Sequence, residues 1–170
     1  RRGAGKIEAG LTDYAYFVRG LLRLHEASGE RTYLDEAVRL TDEQERRLGS
    51  PRGGFFNTAE SPDLLVRGKE IFDGAMPGAN GVAALNLLDL AAATGESRFL
   101  ALAERTLRAF APLVARHPEG SKTMALALAR FAHREPRGSL ADAGSLRSGD
   151  AVAGATPFSV KGGVGVADDL

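Results

Sequence analysis

The chain contains one segment twice, in diverged form, and this repeat limits the folds that it can adopt. Residues 21–40 align without a gap with residues 87–106, so that equivalent positions lie 66 residues apart, and nine of the twenty pairs are identical. An ungapped match of this length is typical of a repeated supersecondary unit. Each copy has an apolar helical period, a glycine (Gly29 or Gly95) that ends it, and a second helical period. The sequence therefore predicts an all-α fold built from repeated α-hairpins.

Five helices are expected from the spacing of apolar side chains and from the stop and cap signals. The predicted ranges are 12–28, 32–48, 80–94, 97–115 and 121–132. The second range carries eight charged residues in seventeen, whereas the third carries only Asp89. A helix that is apolar nearly all round must be buried on most sides. This alternation predicts inner odd-numbered and outer even-numbered helices, as in a double-layered ring or solenoid.

The segments outside these helices differ in character. Residues 49–79 form a long connection, and loops of that length are often functional. Two short β-type stretches at 53–58 and 64–67 flank a turn signal at 61–63, so a small β-hairpin is expected near 53–67. Residues 133–170 are rich in glycine and have no helical period. We therefore expect a domain at 1–132 and an irregular tail at 133–170, with a short strand at 158–161.

The composition argues against several classes of function. Lysine plus arginine and aspartate plus glutamate number 22 each, so nothing favours nucleic acid or an anionic membrane surface as a partner. Without cysteine there is no disulfide, thiolate metal site or cysteine nucleophile. No apolar run spans a bilayer and no histidine pair has metal-ligand spacing, so neither a metal nor a cofactor is predicted. The chain begins at Arg1, which suggests a fragment, and without a visible signal peptide the expected location is cytoplasmic.

Three segments, residues 12–16, 53–56 and 67–88, resemble the large proteins related to spermatogenesis-associated protein 20. The most specific motif reads Asp73-Gly74-Ala75-x-Pro77-x-x-Asn80-x-Val82-Ala83-Ala84-Leu85-Asn86-Leu87-Leu88. Those proteins pair a thioredoxin-like domain with an (α/α)6 toroid of the six-hairpin glycosidase type. The resemblance, over about residues 5–132, implies that this chain is the C-terminal part of such a toroid, about two and a half hairpins. Its implied partners are the missing upstream hairpins and the thioredoxin-like domain, and its implied role lies in carbohydrate metabolism.

The chain departs from that family at one point of the motif. The family usually has Pro-Ser-Gly-Asn-Ser where residues 77–81 read Pro-Gly-Ala-Asn-Gly, so both serines are absent. If those hydroxyls bind substrate, this copy is weakened. An incomplete ring would also leave an apolar face open to solvent, and we expect Val82, Leu85 and Leu128 to form it.

Three carboxylates are candidates for catalysis: Asp13, Glu70 and Asp73. Toroids of this type have their sites at the mouth of the inner ring, and these residues lie at or before the starts of two inner helices. Glycoside hydrolysis needs two carboxyl groups about 5–5.5 Å apart for retention or about 6.5–9.5 Å apart for inversion. The structural alternatives are a helix cap at Asp13 (or Thr12), an Asx-type turn at Asp73, and an ion pair of Glu70 with Arg67 or Lys69.

The candidates for substrate binding are polar or aromatic residues near the same rim. Asn80 either binds a sugar hydroxyl or caps the third helix. Arg67 and Lys69 suit an anionic ligand, or lie solvated on a strand edge. A stacking platform for a sugar ring, or else packing residues of the core, would come from four aromatic side chains: Tyr14, Tyr16, Phe55 and Phe56.

Two functions stay open at this point. The first is a toroid fragment that binds or processes carbohydrate at the rim in its full-length parent. The second is a non-catalytic interaction module, in which apolar inner helices dock against the rest of the parent chain.

Overall fold

The computed structural model describes residues 8–62 and 64–133 of the chain of 170 residues. This part folds into five α-helices and contains no β-strand. In chain order they are α1 (Leu11–Ser28), α2 (Arg31–Leu48), α3 (Ala79–Thr94), α4 (Ser97–Arg116) and α5 (Lys122–Ala132), with a short 3₁₀ turn at Pro118–Gly120 before the last.

The predicted all-α hairpin fold is confirmed, and each helix begins and ends within one residue of the predicted range. Among the described residues, no helix is both long and apolar enough to cross a membrane. The predicted tail, beyond His133, and the strand at 158–161 lie outside the described residues.

The turns inside the two hairpins have the same structure. Gly29 and Gly95 end α1 and α3 in the left-handed conformation, with φ of 73° and 76°. In both turns a hydroxyl at the last helical position donates to the carbonyl four residues earlier and accepts the backbone N–H two residues later. The two distances are 2.7 and 3.1 Å at Ser28, and 2.8 and 3.1 Å at Thr94. The repeat found in the sequence is therefore also a repeat of the hydrogen bonds that a side-chain hydroxyl makes to the backbone of the turn.

Helix α3 is the centre of the described part and packs against α1, α4 and α5. Eleven of its 16 residues are buried, against five of 18 in α2. Its burial confirms the inner position predicted from its single charge. Helix α5 was also predicted to be internal, but only Met124 and Ala127 are buried in it, because α3 and α4 cover one side alone.

Two of the three residues expected to form an open face in an incomplete ring are buried, and the third, Leu128, is partly buried. Val82 packs in the core shared with α1, and Leu85 packs with Met124 and Ala127 of α5. Both Val82 and Leu85 are buried, so the prediction of an exposed face at these residues is wrong. The large exposed apolar side chains of the helices lie elsewhere, on α1 and at Leu126 of α5.

The outer helices α2 and α4 are linked by ion pairs. Arg98 pairs with Asp42, and Arg105 pairs with Glu45 at 3.0 Å, all with side chains about half exposed. Exposed ion pairs of this kind contribute little to the free energy of unfolding. Apolar packing of the inner helices therefore stabilises the hairpin pair far more than the outer contacts do.

The connection between the hairpins, residues 49–78, is irregular. One isolated bridge joins Gly49 and Phe55, and Asn57 donates its backbone N–H to the Gly68 carbonyl oxygen at 2.8 Å. The predicted β-hairpin at 53–67 is therefore wrong for the described residues, and Asp63 of the predicted turn lies outside them. Side-chain hydrogen bonds hold this segment together instead of a strand ladder.

Candidate functional site

A groove of about 390 Å³ lies where the N-terminal ends of α1 and α3 meet the segment leading into α3. Glu70 and Asp73 both line it, and Thr12 lines it at the start of α1. The structure therefore brings the two loop carboxylates to one rim, next to the first turn that carries Asp13. The remaining lining residues are Asn57, Phe72, Gly74, Met76, Pro77, Gly78 and Ala79.

The Asp73 carboxylate joins the starts of two helices. Its Oδ1 accepts the N–H of Gly78, the N-cap residue of α3, at 2.7 Å, and its Oδ2 accepts the N–H of Thr123 in α5 at 2.8 Å. Burial raises the pKa of Asp73, but hydrogen bonds from Gly78, Thr123 and Lys122 outweigh it and lower this pKa overall. Both oxygens are therefore engaged in an ionised carboxylate, whereas a general acid needs a raised pKa.

Asp13 lies at the start of α1 but not at the predicted cap position. The N-cap residue is Gly10, and the Asp13 carboxylate accepts the Gly10 N–H at 2.9 Å from the third helical position. The prediction of Thr12 or Asp13 as N-cap is wrong, because the helix begins earlier, where Leu11 N–H donates to the Asn57 carbonyl oxygen. Asp13 thus stabilises the start of its own helix and does not line the groove.

Asn80 was predicted to cap α3 or to bind a sugar, and the N-cap prediction is wrong. The cap is Gly78, and Asn80 lies inside the first turn with 0% of its surface exposed. Its Oδ1 accepts the Phe55 N–H at 2.8 Å, and its Nδ2 donates to the carbonyl oxygens of Phe55 and Glu70, both at 3.0 Å. Because buried backbone groups of an irregular loop need partners, Asn80 fastens the connection to α3.

Arg67 and Lys69 hold the connection together from within. Both cations lie over the ring of Phe56, at 4.0 and 5.0 Å from its centroid. Burial, and next the charge of Arg52, lower the pKa of Lys69. Their hydrogen-bond acceptors, at 2.6–3.3 Å, are the carbonyl oxygens of Arg47 and Thr58 for Arg67, and the Ser50 hydroxyl and Gly53 carbonyl oxygen for Lys69.

Glu70 differs from the other candidates because its side chain is exposed and has no partner among residues 8–62 and 64–133. The ion pair with Arg67 or Lys69, given as an alternative above, does not form. Only its backbone is bound, through an N–H donated to the Asn57 side chain at 3.1 Å and the carbonyl oxygen held by Asn80. Glu70 is thus the candidate carboxylate that stays available to a ligand.

The two tyrosines of α1 lie in different surroundings. Tyr14 is buried in the core, close to Arg47 of α2. Tyr16 donates its hydroxyl to the Pro77 carbonyl oxygen at 2.9 Å, and its pKa is raised, first by burial and then by the charge of Asp73. Tyr16 therefore belongs to the rim, whereas Tyr14 belongs to the packing between α1 and α2.

Two exposed apolar side chains of the groove, Phe72 and Met76, were not predicted from the sequence. The ring of Phe72 lies edge-on to that of His117, with the centroids 5.9 Å apart. Periodicity identifies apolar faces in helices and strands, and it carries no signal in an irregular segment. These two residues could therefore be identified as part of the groove only from the structure.

The two positions that lack the serines of the family motif are tightly packed. A Cβ atom at Gly78 would lie 2.3 Å from the Ile71 carbonyl oxygen, and one at Gly81 would lie 2.9 Å from the Met124 nitrogen. Side-chain hydroxyls at these two positions therefore have no room in this chain unless the backbone shifts.

Comparisons with known proteins agree with the motif. No model of a protein family matches the chain. Spermatogenesis-associated protein 20 of mouse is 43% identical over 111 residues, which is 64% of this chain and 14% of the relative. The rat and human proteins of the same name are each 40% identical over 121 residues, which is 69% of this chain and 15% of each relative. The chain thus spans about a seventh of the length of these relatives.

Proposed function

Because this chain belongs to the family of spermatogenesis-associated protein 20, we propose that it is a non-catalytic helical module that docks, through α1, against another hairpin of the same toroid. The unequal burial of equivalent residues on α1 and α3 carries this proposal. The engagement of nearly all predicted site residues in intrachain hydrogen bonds supports its non-catalytic part.

Equivalent positions on the two inner helices differ sharply in exposure. Leu24 is 49% exposed and its equivalent Leu90 is 0% exposed; Phe17 is 63% exposed and its equivalent Ala83 is 1% exposed. On α3 this stripe is covered by α1, since Asn86, which lies between Ala83 and Leu90, donates to a backbone carbonyl of α1 at 2.7 Å. In a repeat array each unit contacts its neighbours through the same faces. The exposed stripe of α1 therefore suits a helix that precedes α1 as α1 precedes α3.

Charges indicate the chemistry of that docking helix. Asp89 of α3 pairs with Arg19 of α1, and the residue equivalent to Asp89 on α1 is Arg23. The sign at this position is thus reversed between the two units. We expect the docking helix to carry an acidic residue opposite Arg23, beside small or apolar residues that cover Phe17 and Leu24.

The double variant F17S/L24S tests the docking face. The unaltered chain should bind an apolar dye and self-associate with rising concentration in sedimentation, because the stripe is exposed. The variant should lose most of both signals while its free energy of unfolding changes by less than about 1 kcal/mol. Val66→Ser, an exposed loop residue, is the matched control. A monomeric wild type without dye binding, or a variant that self-associates like wild type, contradicts the proposal.

Carbohydrate binding in the groove is a second candidate function, and the exposed side chains of Glu70 and Phe72 favour it. An unpaired carboxylate beside an aromatic ring offers a sugar both a hydrogen-bond acceptor and an apolar face. Because both Asp73 oxygens accept backbone N–H groups, we expect binding without hydrolysis in this chain. The carbohydrate-processing role belongs, on this proposal, to the full-length parent.

Titration with a panel of mono- and oligosaccharides, followed by NMR, tests the groove. Saturable shifts at residues 70–79 should disappear in E70Q and F72A and persist in E60Q, which alters an exposed carboxylate outside the groove. If no saccharide of the panel causes saturable chemical-shift changes, carbohydrate binding in the groove is excluded. Turnover of any glycoside by the purified chain would instead overturn the non-catalytic assignment.

A further inference from the structure

A cluster of arginines surrounds Asp89, the single charged residue of α3. Arg19 and Arg23 reach its carboxylate from α1, the latter at 3.5 Å, and Arg130 reaches it from α5. The Asp89 side chain is 19% exposed, so the cluster is partly withdrawn from water. Helices α1, α3 and α5 thus present charged side chains to one point, far along α3 from the groove described above.

The charges in this cluster do not balance. Asp89 and Glu26, the other partner of Arg23, supply two negative charges against three positive ones. Arg19 and Arg130 each donate to Asp89 through one nitrogen, and neither has another acceptor in the described part of the chain. A guanidinium has five N–H donors, and its fork fits the oxygens of an oxyanion. The cluster therefore holds spare donors and one uncompensated positive charge.

An open groove of about 310 Å³ adjoins the cluster between α1 and α3. Its walls are mostly apolar, with the charged groups of Asp89, Arg23 and Glu26 at its edge. The apolar and histidine lining consists of Leu22, His25, Ala92 and Ala93. Arg19 and Arg130 do not line this groove, but Asp89, to which both are bound, does. An anionic head bound by the two arginines would therefore lie at the edge of the groove, which has room for a small apolar body.

We propose that Arg19 and Arg130 form a binding site for a small organic phosphate, whose phosphoryl oxygens bridge the two guanidiniums above Asp89 and whose apolar group lies in the adjoining groove. A tetrahedral phosphate supplies enough oxygens to bind both forks at once. Glu26 stays paired with Arg23 and does not oppose the ligand. This site uses neither Phe17 nor Leu24, whose exposure carries the docking proposal, and no residue of the carbohydrate groove. It shares only the Asp89 cluster with the charge argument made for the docking helix.

Calorimetric titration of the chain with phenyl phosphate and with inorganic phosphate, in a low-salt buffer free of other phosphates, tests the site. Phenyl phosphate should bind saturably and about tenfold more tightly than inorganic phosphate, because its ring buries apolar surface. The double variant R19Q/R130Q should weaken both ligands by at least about tenfold. R108Q, which removes an exposed arginine paired with Glu104 on α4, should leave both affinities unchanged.

Two further variants separate a ligand site from a purely structural ion cluster. D89N removes the competing anion, so a phosphate site should bind about tenfold more tightly, whereas a structural cluster would only lose stability. Ala93→Leu fills the adjoining groove and should weaken phenyl phosphate while sparing inorganic phosphate. Both variants keep the test decisive if R19Q/R130Q fails to fold.

Three results would overturn the proposal: no saturable binding of phenyl phosphate by wild type, equal binding by a folded R19Q/R130Q, or weaker binding by a folded D89N. Saturable binding of inorganic phosphate with no preference for phenyl phosphate would overturn the assignment of the apolar groove.

Discussion

The two hairpins, α1–α2 and α3–α4, share one turn and differ in what surrounds their inner helices. Both copies have the left-handed glycine and the hydroxyl that bonds to the backbone on either side of the turn, and the bond from the hydroxyl to the following N–H is 3.1 Å in each. Yet Leu24 is half exposed where its equivalent Leu90 is sealed in the core. Local sequence therefore determines the turn, whereas the neighbours of a helix determine the burial of its faces.

The starts of the two inner helices differ as well. Tyr14 and Asn80 are equivalent positions, and both are buried. The tyrosine packs between α1 and α2. The asparagine instead hydrogen-bonds to backbone groups of the long connection that leads into the second hairpin. Helix α3 therefore needs a polar side chain at this position to satisfy backbone groups of the connection, whereas α1 has an aromatic side chain there.

The largest expected difference between the hairpins is at their equivalent leucines. Leu90→Ala should lower the free energy of unfolding by about 2–5 kcal/mol, because it leaves a cavity in the core. Leu24→Ala should cost less than about 1 kcal/mol, since that side chain is half exposed. Urea denaturation of both variants measures the two values. Equal losses would show that α1 and α3 are buried alike in solution and would remove the basis of the docking proposal.

Asn80→Ala should have the next largest effect, about 3 kcal/mol, because it removes the hydrogen-bond partner of three backbone groups, two of them fully buried and one partly buried. Asn57→Ala is the matched control in the same connection. Its side chain accepts one N–H, from Glu70, and should contribute about 1 kcal/mol. Hydrogen exchange should show faster exchange of the Phe55 amide in N80A alone; a slow Phe55 amide in that variant would contradict the anchor role.

Asp73→Asn should cost about 2 kcal/mol at neutral pH, because it weakens charge-assisted hydrogen bonds to the starts of α3 and α5. The pKa of Asp73 is lowered in the folded state, so this contribution is present above the ordinary value of 3.8. It is lost as pH falls through the lowered folded pKa.

Unfolding curves of wild type and D73N, measured from neutral pH downward, check this sign. The stability difference between the two proteins should shrink in that acid range. A difference that stays constant from neutral pH to below pH 3 would contradict the assigned role of the carboxylate.

The two hairpin turns should respond alike to substitution, which is the smallest effect and the sharpest test of their equivalence. Gly29→Ala and Gly95→Ala should each cost about 1 kcal/mol, because both glycines have positive φ and open space around them. Gly20→Ala, in the exposed middle of α1, should instead stabilise by about 0.5 kcal/mol. Thermal unfolding measures all three; unequal costs at Gly29 and Gly95 would break the equivalence of the turns.

The helices were predictable because their signals are local. Gly29 and Gly95 mark the stops, and the single charge of α3 marks its central position. The supposed strand at 53–58 had a different cause. Phe55 is apolar because it is buried in the core, and Phe56 because it lies beneath Arg67, so their presence does not report a strand.

The candidate site was predictable in position but not in detail, because its partners are distant in sequence. The carboxylate of Asp73 reaches Thr123, 50 residues away, and Asn80 reaches back 25 residues to Phe55. The arginines around Asp89 are 70 and 41 residues from it. The spacing of residues along the chain does not predict such long-range pairs. Only the folded structure therefore shows which polar side chains already have a hydrogen-bond or ion-pair partner.

The ion pairs between α2 and α4 have a mechanical consequence. Long charged side chains, and not interlocking hydrocarbon, set the distance between successive hairpins on their outer side. Dissolved ions screen exposed charges, so these pairs weaken as the salt concentration rises, whereas the apolar contacts between the inner helices do not depend on charge. We therefore expect a rise in ionic strength to loosen the contact between the two hairpins on their outer side and to leave the inner apolar packing in place.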